Sequence, residues 1–420
     1  MLNSLRRARV LVLCGPLALG LMFSDSARAQ EAPAASTSWT TFRGDAQRSG
    51  SSNAQLTLPL SLNWRYTSDA TAGTYSASPL VLDSPSGQRV YFAMGRKVMC
   101  VDAQTGATAS GWNAPEISST ISAPLTLLSG DDGDFIISAA QGGAVTAFRA
   151  NDGGRAWEVQ VQGGVSNGGP VVVQTPAGPR VVVASNAGNI VAITPAGQID
   201  AKWRVPLGRF GTPPATGMAL SENGSILCVI ATDGKMYGID VKMGRLAWSA
   251  TLPNATGVSP TIAGPNVVTA GLSRIASYEA SGGANKWAVP SRGTVVGSPA
   301  YKVVDGTPML FYGTTEGSFY ALNARDGAQE WKAADVASFT GAPIVLDNMV
   351  LVGTRTGSMV ALNPKSGAVM WQYRLKTERL VTGNTNNQNG RGGFGGGGPG
   401  GGGFRGMSAE NSVPMATLSL

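Results

Sequence analysis

The sequence has 420 residues, of which 57 are glycine and 14% are charged, and its formal net charge is +7 at pH 7. This composition suits a turn-rich all-β protein. It does not suit a nucleic-acid binder, which needs concentrated basic stretches, so no nucleic-acid partner is expected. Histidine is absent. Its absence excludes Ser-His-Asp and Cys-His catalysis and histidine-ligated zinc.

Residues 1–29 are predicted to be a cleavable signal peptide. Three arginines come first, an apolar stretch runs from Val10 to Phe23, and a small-residue cleavage site ends at Ala29. The apolar stretch is shorter than the ~20 residues that span a bilayer, and no later stretch is long enough. We therefore expect an exported protein without a transmembrane segment, either periplasmic or extracellular, with a peripheral position at the outer membrane as one option.

Tryptophans recur along the chain at intervals of 39 to 48 residues, which is the period of propeller blades. The recurring residues, each expected to pack across a blade boundary, are Trp64, Trp112, Trp157, Trp203, Trp248, Trp287, Trp331 and Trp371. In five of the units a glycine stands four residues before the tryptophan. Such a glycine is typical of a tight turn, because positive φ costs glycine little.

Seven units begin with a small residue and a proline, from Ser78-Pro79 to Ala342-Pro343, and two β-branched runs follow in each. These are strand signals bounded by turn residues. They predict a single all-β propeller of four-stranded blades, with the tryptophan on the fourth, outermost strand. Seven blades are expected, with eight as the alternative. Trp64 is expected to complete the last blade and to make the Trp371 strand partly redundant.

Three units carry the clearest form of the repeat: AFRANDGGRAW at 147–157, ALNARDGAQEW at 321–331 and ALNPKSGAVMW at 361–371. These resemble the tryptophan-docking motif of the PQQ-like (pyrroloquinoline-quinone-like) propeller family. The segment WTTFRGDAQRSG at 39–50 is similar to the opening of exported bacterial members. The resemblance covers about residues 39–373 and implies the propeller fold.

This family includes both quinoprotein dehydrogenases and non-enzymatic propellers such as outer-membrane assembly factors. The dehydrogenases are longer and carry an adjacent Cys-Cys pair beside the cofactor, and this sequence has no such pair. The resemblance therefore implies a non-catalytic scaffold that binds a protein partner in the cell envelope, without cofactor or catalytic residue. The alternatives are a small oxidoreductase that binds PQQ and calcium, and a sensor that binds a polysaccharide or another ligand.

The predicted domain order is a signal peptide (1–29), a lead-in segment (30–61), the propeller (62–375) and a Gly/Asn-rich tail (376–420). The tail is expected to be disordered, because it cannot bury enough apolar area to fold. Cys100 and Cys228 lie in apolar runs of the first and fourth units. We predict two buried free thiols, with a disulfide as the alternative. Ser129 to Asp134 is predicted to be a polar turn, with a calcium loop as the alternative.

One face of the predicted propeller is rich in basic side chains. It is formed by the loops that enter each first strand and by the loops between second and third strands, where charge focuses toward the axis. The candidate interaction residues are Arg96, Lys97, Arg209, Phe210, Arg274, Arg292 and Arg355. Tyr75 lies in the same loops, and Asp233, Glu316 and Asp335 oppose the positive charge. Ordinary solvated loop charges are the alternative interpretation.

Overall fold

The computed structural model describes residues 38–57, 63–64, 66, 78–166, 168–207, 217–252 and 258–374. These residues belong to one compact unit, Thr37–Leu420, whereas a second unit, Met1–Ser36, lies outside the described residues. The predicted signal peptide and Gly/Asn-rich tail therefore also lie outside them. Within the described ranges, no helix reaches the length and apolarity that a membrane span requires.

Seven antiparallel sheets, called blades 1 to 7 in chain order, form a ring. Blades 1 to 3 contain β1 (Leu80–Ser84), β2 (Gly87–Met94), β3 (Lys97–Asp102), β4 (Thr126–Gly130), β5 (Gly133–Ala139), β6 (Ala144–Arg149), β7 (Arg155–Gln160), β8 (Val171–Thr175), β9 (Gly178–Ala184), β10 (Asn189–Ile193) and β11 (Ile199–Pro206). Blades 4 and 5 contain β12 (Met218–Leu220), β13 (Ile226–Ile230), β14 (Lys235–Asp240), β15 (Arg245–Thr251), β16 (Thr261–Ala263), β17 (Asn266–Ala270), β18 (Arg274–Glu279) and β19 (Asn285–Pro290). Blades 6 and 7 contain β20 (Val295–Val304), β21 (Thr307–Thr314), β22 (Phe319–Asn323), β23 (Gln329–Ala333), β24 (Ile344–Val345), β25 (Val350–Gly353), β26 (Ser358–Leu362) and β27 (Val369–Arg374).

The predicted all-β propeller with seven four-stranded blades is confirmed. Blade 1 departs most from the plan, because its fourth strand is reduced to a single bridge between Val101 and Thr108. The sequence before Trp112 has two more residues than most other units between the turn glycine and the tryptophan. Gly111 has a φ of +76° there and places a turn where the other blades continue as a strand.

The outer strand of blade 7 is β27, which carries Trp371 and pairs with β26. The expectation that Trp64 takes this place and makes the Trp371 strand redundant is therefore wrong. Trp64 contacts blade 1 instead: its Nε1 donates to the Ala103 carbonyl oxygen at 2.7 Å. Blade 7 has four strands of its own, β24 to β27, so it needs no strand from the N-terminal part of the chain.

Tryptophans reach across blade boundaries to the turn between the third and fourth strands of the next blade. Trp331 Nε1, on β23 of blade 6, donates to the Pro364 carbonyl oxygen of blade 7 at 2.9 Å. The turn there needs glycine twice over. Gly367 has a φ of +71°, and a Cβ at this position would lie 2.4 Å from the Trp331 ring. The glycine therefore makes room for the indole as well as for the turn.

Successive side chains of a strand point to opposite faces of its blade, so each blade can pack against both of its neighbours. Six of the seven boundaries between blades are each filled by one apolar cluster that contains residues of both blades. The boundary between blades 7 and 1 is different. Leu56 packs on blade 7 in one cluster, and Trp64 and Tyr66 pack on blade 1 in another. Residues of the N-terminal segment therefore cover both facing surfaces where the ring closes.

Cys100 on β3 and Cys228 on β13 are free and buried, which confirms the predicted pair of buried thiols. Burial raises the pKa of the Cys100 thiol to about 11 and that of Cys228 to about 12. The turn between β4 and β5 consists of Asp131 and Asp132, so the predicted polar turn is also confirmed.

The buried thiols of Cys100 and Cys228 are expected to be unreactive in the folded protein. In the native protein at pH 8, neither Cys100 nor Cys228 should react with a thiol reagent faster than the protein unfolds, because the thiolate is the reactive form. In denaturant both should react at once. The measurement is the rate of colour release from an aromatic disulfide reagent with and without denaturant. Rapid native labelling of either thiol would contradict the buried placement.

Candidate binding face and ring axis

The loops into each first strand and the loops between second and third strands lie on the same face, because antiparallel blades place both kinds of connection at one edge. We call it the basic face. It carries Arg96 in the loop after β2, Lys97 at the start of β3, Arg274 at the start of β18, Arg292 in the loop before β20 and Arg355 in the loop after β25. All five are exposed. Arg209, Phe210 and Tyr75 lie outside the described residues.

Two of the five basic side chains share a carboxylate. Glu116 forms ion pairs with Arg96 at 2.9 Å and with Lys97 at 3.5 Å, and all three side chains are about half exposed. Exposed pairs of this kind contribute only about 0 to 1 kcal/mol and are screened by salt. Glu116 is not among the opposing acidic residues predicted from the sequence, because the loop before blade 2 brings it back to blade 1. It reduces the positive charge that these two residues offer a partner.

The other three arginines, Arg274, Arg292 and Arg355, form no ion pair with any residue that the structure describes. The loop that carries Arg292 is held by the carboxylate of Glu316. Glu316 accepts hydrogen bonds from the Thr294 backbone nitrogen at 3.0 and 3.1 Å. Arg292 itself has a φ of +56°. A fixed loop therefore presents an unpaired guanidinium to solvent, the arrangement that binds anionic groups with the smallest loss of backbone entropy.

The axis of the ring is filled by residues 38–57, which we call the axial segment. Its backbone pairs with the inner strands of six blades, from Trp39 with Val81 of β1 to Ser52 with Val345 of β24. The intermediate contacts are donated by the backbone nitrogens of Leu127, Leu220, Ile262 and Tyr301 to Thr40, Ala46, Gln47 and Ser49, at 2.8 to 2.9 Å. Blade 3 is reached by a side chain, because Arg48 donates to the Pro170 carbonyl oxygen at 3.1 Å.

Two arginines of the axial segment are buried at the axis. Arg43 donates to the carbonyl oxygens of Ser298 at 2.9 Å and Pro299 at 2.7 Å, both in blade 6. Arg48 donates to Met218 of blade 4 at 2.9 Å in addition to its bond with blade 3. Arg43 is 5% exposed and Arg48 is 0% exposed. Four carbonyl oxygens of the ring thus accept hydrogen bonds from the two guanidiniums. Four further hydrogen bonds go to groups of the axial segment itself, in Arg48, Ser49, Thr41 and Phe42.

Burial lowers the pKa of Arg43 to about 10 and that of Arg48 to about 9, and the nearby Asp45 carboxylate opposes this effect. Asp45 itself accepts hydrogen bonds from the backbone nitrogen and hydroxyl of Ser49. Neither arginine is within ion-pair distance of a carboxylate in the described part of the chain. Both remain charged at neutral pH, so the axis holds buried positive charge that is stabilised by carbonyl dipoles.

A calcium ion beside PQQ would need a group of oxygen ligands such as carboxylates. Among the described residues, no three Cys, Asp or Glu side chains are grouped where they could hold a metal ion. The sequence has no adjacent cysteine pair. Arg43, Arg48 and Glu116 are not among the residues predicted from the sequence. The repeat pattern does not include 38–57, and the sequence signal that could have pointed to Arg43 and Arg48 is the segment WTTFRGDAQRSG at 39–50, which contains both.

Seven radial blades around one axis define a seven-bladed β-propeller. The family model described as outer membrane protein assembly factor BamB matches residues 61–201, 200–306 and 272–389. The chain therefore belongs to this family of PQQ-like propellers. A search of curated proteins finds no match to the chain.

Solved structures show the same fold at low sequence identity. The crystal structure of BamB from Moraxella catarrhalis matches with a TM-score of 0.50 and 15% identity, over 70% of this chain and 87% of that chain. The crystal structure of the computationally designed Ika8 protein matches with a TM-score of 0.54 and 14% identity, over 73% of this chain and 88% of that chain. At these identities the likeness concerns the fold alone.

Proposed function

We propose that this chain is an exported, non-catalytic propeller that binds a protein partner in the bacterial cell envelope through its basic face. The observation that carries the proposal is the set of three exposed arginines, Arg274, Arg292 and Arg355, without ion-pair partners in the described ranges. The family's description, which names an outer membrane assembly factor, supports a role in the envelope and a position peripheral to the outer membrane.

The proposed partner carries an acidic surface. Unpaired guanidiniums on converging loops raise the local concentration of an acidic partner and steer its approach. Arginine also pairs with a carboxylate through two parallel hydrogen bonds, which fixes orientation as well as charge. No cofactor is part of the proposal.

Changing Arg274, Arg292 and Arg355 together to Ser should leave the melting temperature nearly unchanged, because exposed loop charges contribute within about 0.5 kcal/mol each. Affinity for the acidic partner that co-purifies from envelope extract should fall, and its dependence on salt should flatten, because fewer screened attractions remain. The measurements are a melting curve and a titration at two ionic strengths.

The matched control changes three exposed basic residues on the opposite face, in the turns between third and fourth strands: Lys242, Arg325 and Lys365 to Ser. This control should bind the partner as tightly as the wild type. Equal affinity in both triple variants would contradict the basic face as the binding surface. Retention of quinone absorbance after incubation with PQQ and calcium and then desalting would instead favour the small oxidoreductase.

A further inference from the structure

We infer that the axis of this propeller is a peptide-binding site whose ligand is a turned segment with two arginines five residues apart, and that the chain occupies it with its own axial segment. The inference concerns a site and ligand that are separate from the basic face and from the proposed envelope partner.

The main chain of the ring forms hydrogen bonds with the main chain of the axial segment. Inner strands of six blades each donate to or accept from the axial segment through main-chain groups, at Val81, Leu127, Leu220, Ile262, Tyr301 and Val345. The axial segment is turned over residues 41–47, and Arg43 and Arg48 have positive φ. What it shares with a peptide bound at a sheet edge is recognition through main-chain groups. Here the edges come from separate blades, so one segment is bound by the whole ring and not by one sheet.

Carbonyl oxygens of the ring also bind the two arginine side chains of the axial segment. Arg43 reaches blade 6, and Arg48 reaches blades 3 and 4, through hydrogen bonds of 2.7 to 3.1 Å to carbonyl oxygens. A guanidinium has five donors in a planar fork, whereas a lysine ammonium has three donors on one atom. Arg48 can therefore bridge carbonyl oxygens of blades 3 and 4, which a lysine could not do. Arg43 joins two neighbouring carbonyl oxygens of blade 6. The site selects arginine by shape in addition to charge.

The chain that follows the axial segment runs to the boundary between blades 7 and 1. Leu56 packs on blade 7, and Trp64 and Tyr66 pack on blade 1, at the boundary where these two blades share no apolar cluster among the described residues. Occupancy of the axis thus places the following residues where they cover both surfaces of this boundary. Binding of the segment and closure of the ring are coupled.

The test uses the full chain with a protease site introduced between Tyr66 and Ser78, cleaved after folding. The N-terminal fragment should remain with the ring on size exclusion. The cleaved protein is then unfolded and refolded with a labelled synthetic peptide of residues 38–57 present in equal amount to the fragment. We expect the wild-type peptide to replace the fragment in a substantial share of rings, with one peptide per ring.

Two matched peptides test the selection of arginine. One carries Arg43→Gln and Arg48→Gln, which removes the charge, and the other carries Arg43→Lys and Arg48→Lys, which keeps it. Each should be incorporated at least about tenfold less than the wild-type peptide, since several charged hydrogen bonds are lost. Equal incorporation of the lysine peptide would overturn the selection by shape. Loss of the fragment from a cleaved ring that stays folded would overturn the site itself.

Hydrogen exchange on the uncleaved chain gives an independent result if the cleaved protein does not refold. In the R43K/R48K variant of the full chain, the backbone amides of Leu220, Ile262 and Val345 should exchange at least about tenfold faster than in the wild type, because they are donors to the axial segment. Amides at the outer strands should be unaffected. Unchanged protection of the three inner amides would contradict the inference.

Discussion

Trp331→Ala is expected to destabilise the protein by about 3 to 5 kcal/mol, because it removes a large side chain that is 8% exposed at the boundary between blades 6 and 7. The indole packs near the rings of Phe311 and Phe319, with ring centroids 5.9 and 6.0 Å away. Its Nε1 bond to the Pro364 carbonyl oxygen is lost as well. The measurement is the midpoint of chemical denaturation.

Trp371→Ala is the matched control, because Trp371 occupies the same position on the outer strand of blade 7. It is only partly buried, and Trp64 takes the corresponding place on blade 1. Trp371→Ala should lower the free energy of unfolding by clearly less than Trp331→Ala does. Equal losses at the two positions would show that contact with the following blade contributes nothing beyond burial in the blade itself.

Arg48→Met is the second change with a large expected effect, a loss of about 2 to 5 kcal/mol. The side chain is fully buried and donates to the carbonyl oxygens of Phe42, Pro170 and Met218 and to the Thr41 hydroxyl. Removing the guanidinium takes the donor away from the three carbonyl oxygens, at about 1 to 3 kcal/mol for each that is left unsatisfied. The Thr41 hydroxyl keeps its hydrogen bond from Thr126. Relief from burying a charge offsets part of this cost. The denaturation midpoint measures the net effect.

The control for this change is Arg292→Met, which removes the same functional group from an exposed loop. It should shift stability by no more than about 0.5 kcal/mol. If the Arg48 variant were as stable as the Arg292 variant, the stability of the ring would not depend on the axial arginine, and the expected role of Arg48 would be contradicted.

The blades could be predicted from the sequence because each is specified locally. A proline, two β-branched runs, a glycine turn and a tryptophan recur within 39 to 48 residues, and the alternation of buried and exposed positions in a strand such as β8 follows directly. Which of Trp371 and Trp64 lies on the outer strand of blade 7 could not be predicted in this way. Trp371 has a glycine four residues before it and Trp64 does not. Both lie in strand-like sequence, and only the ring determines which of them completes blade 7.

The axial arginines could not be predicted for a related reason. Arg48 contacts Pro170, 122 residues away, and Arg43 contacts Pro299, 256 residues away. Their partners are main-chain carbonyl oxygens, which every residue possesses and no sequence pattern distinguishes. The basic loops are visible in the sequence because charge is a property of the side chain. Their pairing with Glu116 is not, because it depends on the path of the loop before blade 2.

The most direct test of the proposed scaffold function is site-specific photocrosslinking in bacteria that express the full chain. A photoreactive residue replaces Arg292 or Arg355 on the basic face, or Asp131 in the turn between β4 and β5 on the opposite face. The proposal predicts one discrete acidic protein partner captured from positions 292 and 355 and not from 131. Capture from position 131 alone, or equal capture from all three positions, would contradict it.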